Sequence, residues 1–279
     1  MRPTVRSRRL GTRLAAYRAD KRMSGATVAE GLGIQQPHWS KIETGKAKLS
    51  PEQLRRAVEL LGVPDDVAEQ LEELRQRADE QGWWQEFGDL LSEPVEMLIE
   101  LEASAERILG YDGAVMPGLL QVRRYAERII TASAPHLRVG DIDRYLELRM
   151  RRQQRLADGM TLRAVVSEAA VRQQIGGREV YLEQLRHIVT VTQTMNVSVQ
   201  VVPFTSDAHA ALTDNFVIIE WPDEADPQAV YVDGQTSWAV HERAGLIRQY
   251  LHSFASAQTA ALPARESLVL IERLIKEQE

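Results

Sequence analysis

The spacing of apolar residues predicts four short helices at the start of the chain, over residues 9–19, 24–33, 34–45 and 50–62. Ser24 and Ser50 stand where N-caps are needed, because a serine hydroxyl can accept a backbone N–H bond at a helix start. Gly33 and Gly62 can end their helices, because glycine readily adopts a left-handed backbone. This part of the chain is therefore predicted to be a small all-α domain.

The third of these segments, residues 34–45, separates apolar from polar positions. Trp39 and Ile42 are three residues apart, so both can pack against the preceding helix. Pro37 is tolerated only in the first turn of a helix, so we expect the helix to begin near Gln36. Its remaining polar side chains then project outward from a buried stem. Such a helix suits the DNA major groove, where glutamine can bond adenine and lysine can bond guanine.

Beyond residue 63 the pattern becomes mixed. We interpret residues 64–80 as a charged linker helix, and the aromatic cluster in residues 82–87 is typical of an interface between domains or subunits. Helical spacing recurs near residues 94–109, 118–132, 139–157, 178–194, 239–257 and 263–277. Runs rich in β-branched residues predict strands at 162–166, 197–202, 216–220 and 229–232. The predicted domains are residues 1–63, a junction at 64–93, and an α+β domain at 94–279.

Charge divides the chain in the same way. Residues 1–63 contain 13 Lys and Arg against 5 Asp and Glu, whereas the whole chain has a formal net charge of −6. A basic module on an acidic body is typical of a protein that binds nucleic acid through one part. Cysteine is absent, which excludes disulfides and thiolate chemistry. The basic N-terminus has no apolar stretch suited to a signal peptide, so we expect a cytoplasmic protein.

The N-terminal residues resemble the Xre/Cro-repressor family of helix-turn-helix proteins. The resemblance covers Met23 to Leu61 and rests on Ala29-Glu30, Leu32-Gly33-Ile34 and the run from Lys41 to Lys46. It implies an all-α domain of five helices, followed here by the larger α+β domain. It also implies a recognition helix that is third in order, and a homodimer on a partly palindromic DNA operator. One departure is Gly25, where the family commonly has a glutamine that contacts phosphate.

The resemblance also assigns roles to side chains of the third helix. Base-reading positions fall on Gln36, Pro37 and Lys41. Positions that face the DNA backbone or flank it fall on Gln35, His38, Ser40 and Lys46. By contrast, we expect Trp39 to belong to the core and Glu43 to be a structural partner within the domain.

Several later stretches carry weaker signals. The basic run Arg149–Arg155 could add phosphate contacts, although a solvated or salt-bridged helix face is the commoner explanation. Gly176-Gly177 lacks the glycine spacing of a phosphate-binding turn. A loop between two predicted strands could line a pocket for a ligand or partner through Pro203, Phe204, Asp207 and His209. No metal-ligand spacing or catalytic motif accompanies them, so we expect no cofactor, no metal and no enzymatic activity.

Six spaced motifs beyond residue 80 resemble the WhiJ-like group of actinomycete regulators. They are Gly82-Trp83-Trp84, Leu101-Glu102-Ala103, Pro117–Gln121, Arg149–Leu156, Glu168-Ala169-Ala170 and Val202-Pro203-Phe204. The resemblance implies a transcription regulator, often encoded beside a small BldB-like companion protein. Three readings of the α+β domain remain open. It dimerises and receives a signal for a repressor or developmental switch, it binds the companion as an antitoxin-like protein, or it senses a small-molecule effector.

Overall fold

The computed structural model describes residues 4–78, 82–133, 138–222, 228–234 and 238–279. The chain folds into two compact units that divide between Gln85 and Glu86. The N-terminal unit is helical, and the C-terminal unit combines helices with a six-stranded sheet. An all-α domain followed by a larger α+β domain is the predicted fold class, which is confirmed.

Five helices build the N-terminal unit: α1 (Val5–Asp20), α2 (Gly25–Gly31), α3 (Gln36–Glu43), α4 (Pro51–Leu61) and α5 (Asp65–Arg77). The predicted caps are present. The backbone N–H of Thr27 donates to Oγ of Ser24 over 3.0 Å. Ser50 and Gln53 form a reciprocal capping box, with bonds of 3.1 and 2.9 Å between side chain and backbone. These short helices therefore have fixed starting points.

The N-terminal core is a single cluster that reaches from α1 to α5. Leu14, Trp39 and Leu61 are fully buried in it, and so is Leu71 of α5. Outside the cluster, Nη2 of Arg13 on α1 donates to Oε1 of Gln70 on α5 over 2.9 Å. Helix α5, which lies in the segment interpreted from sequence as a linker, thus contributes to the core of this unit.

Gly11 allows α1 to approach the end of α3. A Cβ atom at Gly11 would collide with the carbonyl oxygen of Ile42 and would lie 2.6 Å from that of Glu43. We expect Gly11→Ala to lower the free energy of unfolding by about 1–3 kcal/mol, because backbone oxygens cannot move aside as side chains can. An ordinary helix would instead gain about 1 kcal/mol from the same change.

Urea unfolding followed by circular dichroism measures this difference. Gly245→Ala in the C-terminal unit is the matched control, because an added Cβ there meets nothing within 4 Å. Equal or higher stability of the Gly11→Ala protein would contradict the close approach of the two helices.

The C-terminal unit contains most of the remaining elements. The helices are α6 (Glu93–Ser104), α7 (Arg123–Ser133), α8 (Val139–Ala157), α9 (Glu168–Arg172), α10 (Arg178–Thr194), α11 (Ala244–Ala260) and α12 (Ala264–Gln278). A 3₁₀ helix covers Gly118–Leu120, and another, at Trp83–Phe87, contains the point where the chain divides into the two units. The strands are β1 (Arg107–Asp112), β2 (Thr161–Ser167), β3 (Val197–Val202), β4 (Phe216–Glu220), β5 (Ala229–Asp233) and β6 (Trp238–His241).

The strands form one mixed sheet in the order β3-β2-β1-β4-β5-β6. Strands β1, β2 and β3 run parallel, and β4, β5 and β6 add to β1 in antiparallel fashion. Helix α11 packs on one face through Ile247 and Phe254, against side chains that include Tyr111 and Phe216. Alternation along the strands turns the even-numbered residues of β1 and β2 toward the opposite face. That second face borders the cavity described below.

The four predicted strands are confirmed to within one residue at each end. The predicted helix at 118–132 is a 3₁₀ helix at Gly118–Leu120 followed by α7, which begins at Arg123. Two other predicted helices extend into residues that form strands. The predicted helix at 94–109 ends at Ser104, and its last residues begin the central strand β1. The predicted helix at 239–257 begins only at Ala244, because residues 238–241 pair with β5 as an edge strand.

Candidate nucleic-acid interface and a charged cavity

Helix α3 begins where the sequence predicts. Gln35 is its N-cap residue, and Pro37 lies in the first turn, where its missing N–H leaves no bond unmade. Trp39 and Ile42 are 0% and 2% exposed. They anchor the helix in the N-terminal core, which confirms the expected structural role of Trp39. The helix is therefore held from one side only.

The other side of α3 is a continuous polar surface. Gln35, Gln36, Pro37, Ser40 and Lys41 are exposed, Lys46 is exposed just beyond the helix, and His38 is partly exposed. Within the described ranges, neither Lys41 nor Lys46 has an ion-pair partner. All seven predicted DNA-contact residues thus lie on α3 or within three residues of its ends, at exposed or partly exposed positions. Amide, hydroxyl and ammonium groups there can donate to base edges and phosphates.

An ion pair holds the end of α3 against α1. Nε of Arg18 lies 2.6 Å from Oε1 of Glu43, and both side chains are mostly buried. Another nitrogen of Arg18 donates to the carbonyl oxygen of Met23 over 3.0 Å, in the turn before α2. Arg18 of α1 therefore bonds both the end of α3 and the turn before α2. The expectation that Glu43 is a structural partner is confirmed.

Gly25 has a packing role in this arrangement. A Cβ atom at Gly25 would lie 3.3 Å from Cδ1 of Trp39, which is already tight. A longer side chain would have to share space with the indole ring. Gly25, at a position where the family commonly has glutamine, thus packs beside the bulky indole ring of Trp39 on α3.

The loop around Pro203 lies beside the α11 face of the sheet. Nε2 of His209 is 3.4 Å from the hydroxyl oxygen of Tyr111, which packs on that face. Oγ of Ser206 donates to the carbonyl oxygen of Ala260 at the end of α11 over 2.6 Å. Phe204 is 64% exposed and Asp207 is exposed as well. The four predicted loop residues thus belong to one loop. A role for them in ligand or partner binding stays a prediction.

The basic run on α8 is salt-bridged. Arg152 donates two bonds of 2.7 Å to the carboxylate of Glu102 on α6, and both residues are buried. Arg151 pairs with Glu86 over 2.8 Å, and Arg155 donates to the carbonyl oxygen of Ala105 over 2.8 Å. The salt-bridged interpretation of this run is confirmed.

Arg149 and Arg152 face a cavity of about 370 Å³ inside the C-terminal unit. Its lining includes the sheet and side chains of α6 and α8, and none of the four predicted loop residues takes part. Nη1 of Arg149 donates to Oε1 of Gln121 over 2.5 Å. Burial, followed by the charge of Arg152, lowers the pKa of Arg149 to about 10. One feature of the sequence could have pointed to this site: Arg149 and Arg152 are three residues apart and so lie on the same face of α8.

Asp112 lines the same cavity at the end of β1. Burial, reinforced by the charge of Asp233, raises the pKa of Asp112 to about 7 from an ordinary value of 3.8. In the folded protein the carboxyl group of Asp112 therefore keeps a proton that it loses above about pH 4 in the unfolded chain. We expect the free energy of unfolding to fall between about pH 4 and 7 as Asp112 is forced to ionise.

Urea unfolding at a series of pH values tests this expectation. Asp112→Asn should flatten the decline, because asparagine is neutral throughout. Asp143→Asn, an exposed position on α8, should leave the decline unchanged. Identical pH profiles for the wild type and the Asp112→Asn variant would contradict the raised pKa.

Comparison with known families agrees with this division of the chain. Residues 9–71 match a family model described as a helix-turn-helix domain. Residues 95–273 match a model described as a domain of unknown function, DUF5753. No curated protein matches the chain. Among the described residues, no helix has the length and apolar character needed to cross a membrane. In the same ranges, no group of three or more His, Asp or Glu side chains is placed to hold a metal ion.

Proposed function

The chain belongs to the DUF5753 family and carries a helix-turn-helix domain ahead of it, and from this we propose a sequence-specific transcription regulator. The observation that carries the proposal is the polar, positively charged outer surface of α3 on a buried stem of Trp39 and Ile42. Helix-turn-helix proteins insert such a helix into the major groove by its N-terminal end. In this proposal the protein is cytoplasmic, is not an enzyme and needs no cofactor.

The proposed contacts follow from position along α3. Gln36 and Pro37, in the first turn, would meet base edges, with glutamine bonding adenine and proline touching a thymine methyl group. Lys41, one turn further, would donate to guanine. Gln35 and Lys46 lie beside the ends of the helix, where phosphates pass, and Ser40 and His38 complete the contacts to the backbone.

We also propose that the regulator acts as a homodimer of the Xre type. One module of this size contacts only a short half-site, whereas two related by a dyad read half-sites about 10 base pairs apart. A dimer bound across a promoter would exclude polymerase, so repression or a developmental switch is the proposed outcome. The α+β domain would supply the dimer contacts and receive the signal.

Selection from a random DNA duplex pool with the purified full-length protein tests this function. The proposal expects one enriched, partly palindromic motif with half-sites about 10 base pairs apart. The logarithm of its affinity should fall linearly with the logarithm of salt concentration, since each phosphate contact releases counterions. Recovery of no motif, with binding equal on all duplexes, would refute sequence-specific regulation.

A second candidate role is binding of a small companion protein of the BldB type, as in an antitoxin. The observation that favours it is a pair of exposed apolar side chains, Phe204 (64%) and Leu212 (60%), which flank the His209 region. Exposed large apolar side chains can mark interaction surfaces. Coexpression with the product of the neighbouring small gene tests this role. The wild type should copurify with it and a Phe204→Ser, Leu212→Ser variant should not, whereas equal recovery would exclude this surface.

A further inference from the structure

The wall of the cavity is set by the register of three antiparallel strands. Gly110, Val217 and Tyr231 lie opposite one another across β1, β4 and β5. The same register, extended by one pleat, places Asp112 and Asp233 in the next row. Residues directly opposite in a sheet project from the same face. Asp112, Asn215 and Asp233 therefore form one polar row at the end of this wall, and all three line the cavity.

Gly110 and Ala164 form the part of the wall that we call the floor, and they leave space because both residues are small. Gly110 pairs with Ala164 of β2, and both line the cavity. The atoms nearest to a Cβ atom at Gly110 would be Cγ1 of Val217 at 3.4 Å, and Oδ2 of Asp112 and a backbone oxygen at 3.9 Å. The backbone at Gly110 does not require glycine, because its φ angle is not positive. A glycine inside a strand often marks the close approach of a ligand.

The charged groups around the cavity differ in their partners, and the partner of Arg149 is the neutral amide of Gln121. Glu102 and Arg152 satisfy each other. Asp233 feels the positive charges of Arg152 and Arg149. Asp112 instead faces the like charge of Asp233, and no donor among the described residues bonds its carboxyl group. The remaining lining is largely apolar and includes Leu98, Val115, Leu119 and Ile129.

We propose that this cavity binds a small organic amine, with its ammonium group at Asp112 and its apolar body over Gly110 and Ala164. A cation supplies the charge that Asp112 lacks, and Asp233 at the mouth adds to the attraction. The cavity volume of about 370 Å³ lies within the range typical of small-molecule sites. Occupancy would be the signal received by the α+β domain, a step that rests on the proposed function.

The test measures binding to the full-length chain without DNA, so its result is independent of the DNA-binding proposal. The probes are butylamine, cyclohexylmethylamine and 4-phenylbutylamine, each compared with the alcohol and the carboxylate of matching shape. Calorimetry and thermal unfolding report binding. We expect at least one amine to bind and raise the melting temperature, roughly tenfold more tightly than its alcohol.

Two substitutions locate the site. Asp112→Asn should weaken amine binding about tenfold or more, and Gly110→Val should abolish it by filling the floor. Valine is favourable in a strand, so the Gly110→Val protein should melt no lower than the wild type. Asp143→Asn is the control and should bind as the wild type does. Binding by no amine, equal binding by the Asp112→Asn variant, or preference for the carboxylates with loss in Arg149→Met would each overturn the proposal.

Discussion

Replacement of Arg152 by methionine is expected to lower the free energy of unfolding by about 3–5 kcal/mol. Arg152 makes both hydrogen bonds to the carboxylate of Glu102, which is 4% exposed. Methionine retains most of the volume but removes the charge, so the carboxyl group of Glu102 loses its partner in a poorly solvated place. The loss in free energy of unfolding comes mainly from burying a carboxyl group without a partner, and less from the lost attraction between the two charges.

Helix α8 offers a matched control for this change. Arg144 binds Asp89 in the same two-bond manner, over 2.7 and 2.8 Å, but their side chains are 39% and 66% exposed. Arg144→Met should therefore cost much less stability than Arg152→Met, because solvent screens the exposed pair. Adding Glu102→Leu to Arg152→Met should recover most of the loss. Urea unfolding measures all three, and equal costs for the two arginines would show that burial of the pair is unimportant.

The second large effect is expected at the DNA-binding surface. Gln36→Ala combined with Lys41→Ala should reduce the preference for the selected DNA site roughly a hundredfold or more, because each base contact contributes about 1–3 kcal/mol of discrimination. Both side chains are exposed, and among the described residues neither has a partner that stabilises the fold. The melting temperature should therefore stay the same.

Competition binding against random duplex measures this loss. Lys276→Ala, which removes an exposed charge from α12 in the C-terminal unit, should leave the preference unchanged. An unchanged preference in the double variant, with the control behaving likewise, would mean that α3 does not read the bases.

Most helices of the N-terminal unit could be predicted from the sequence because their caps and apolar spacing are local signals. Ser24, Ser50 and Pro37 each act within one turn of their own helix, so their effect needs no knowledge of the rest of the fold. The same holds for the buried spacing of Trp39 and Ile42. The family resemblance implies a fifth helix, but the spacing alone placed α5 in a linker, because its apolar stripe can equally serve a linker or a helix of the core.

The two missed strands have a common cause. Ile108 and Leu109 continue the helical spacing of α6, and only their pairing with β2 and β4 makes them strand residues. Four residues at 238–241 are too few to show a period of two, and pairing with β5 alone defines that strand. Pairing between distant segments is information that a local pattern does not contain.

The cavity could not be predicted for the same physical reason. Glu102, Asp112, Arg149 and Asp233 come from four elements and meet only in the folded domain. The sequence showed the basic run on α8 but not which of its charges are buried. The loop at Pro203–His209, by contrast, stood out because its polar residues are adjacent in the chain.

The most direct test of the central claim, that α3 reads DNA sequence, is a double-mutant cycle between Gln36 and the bases of the selected site. Affinities are measured for the wild type and for Gln36→Ala, each with the selected site and with every single base-pair substitution. The account predicts one position in each half-site where the substitution costs the wild type about 1–3 kcal/mol and costs Gln36→Ala almost nothing. Equal costs in both proteins at every position would contradict it.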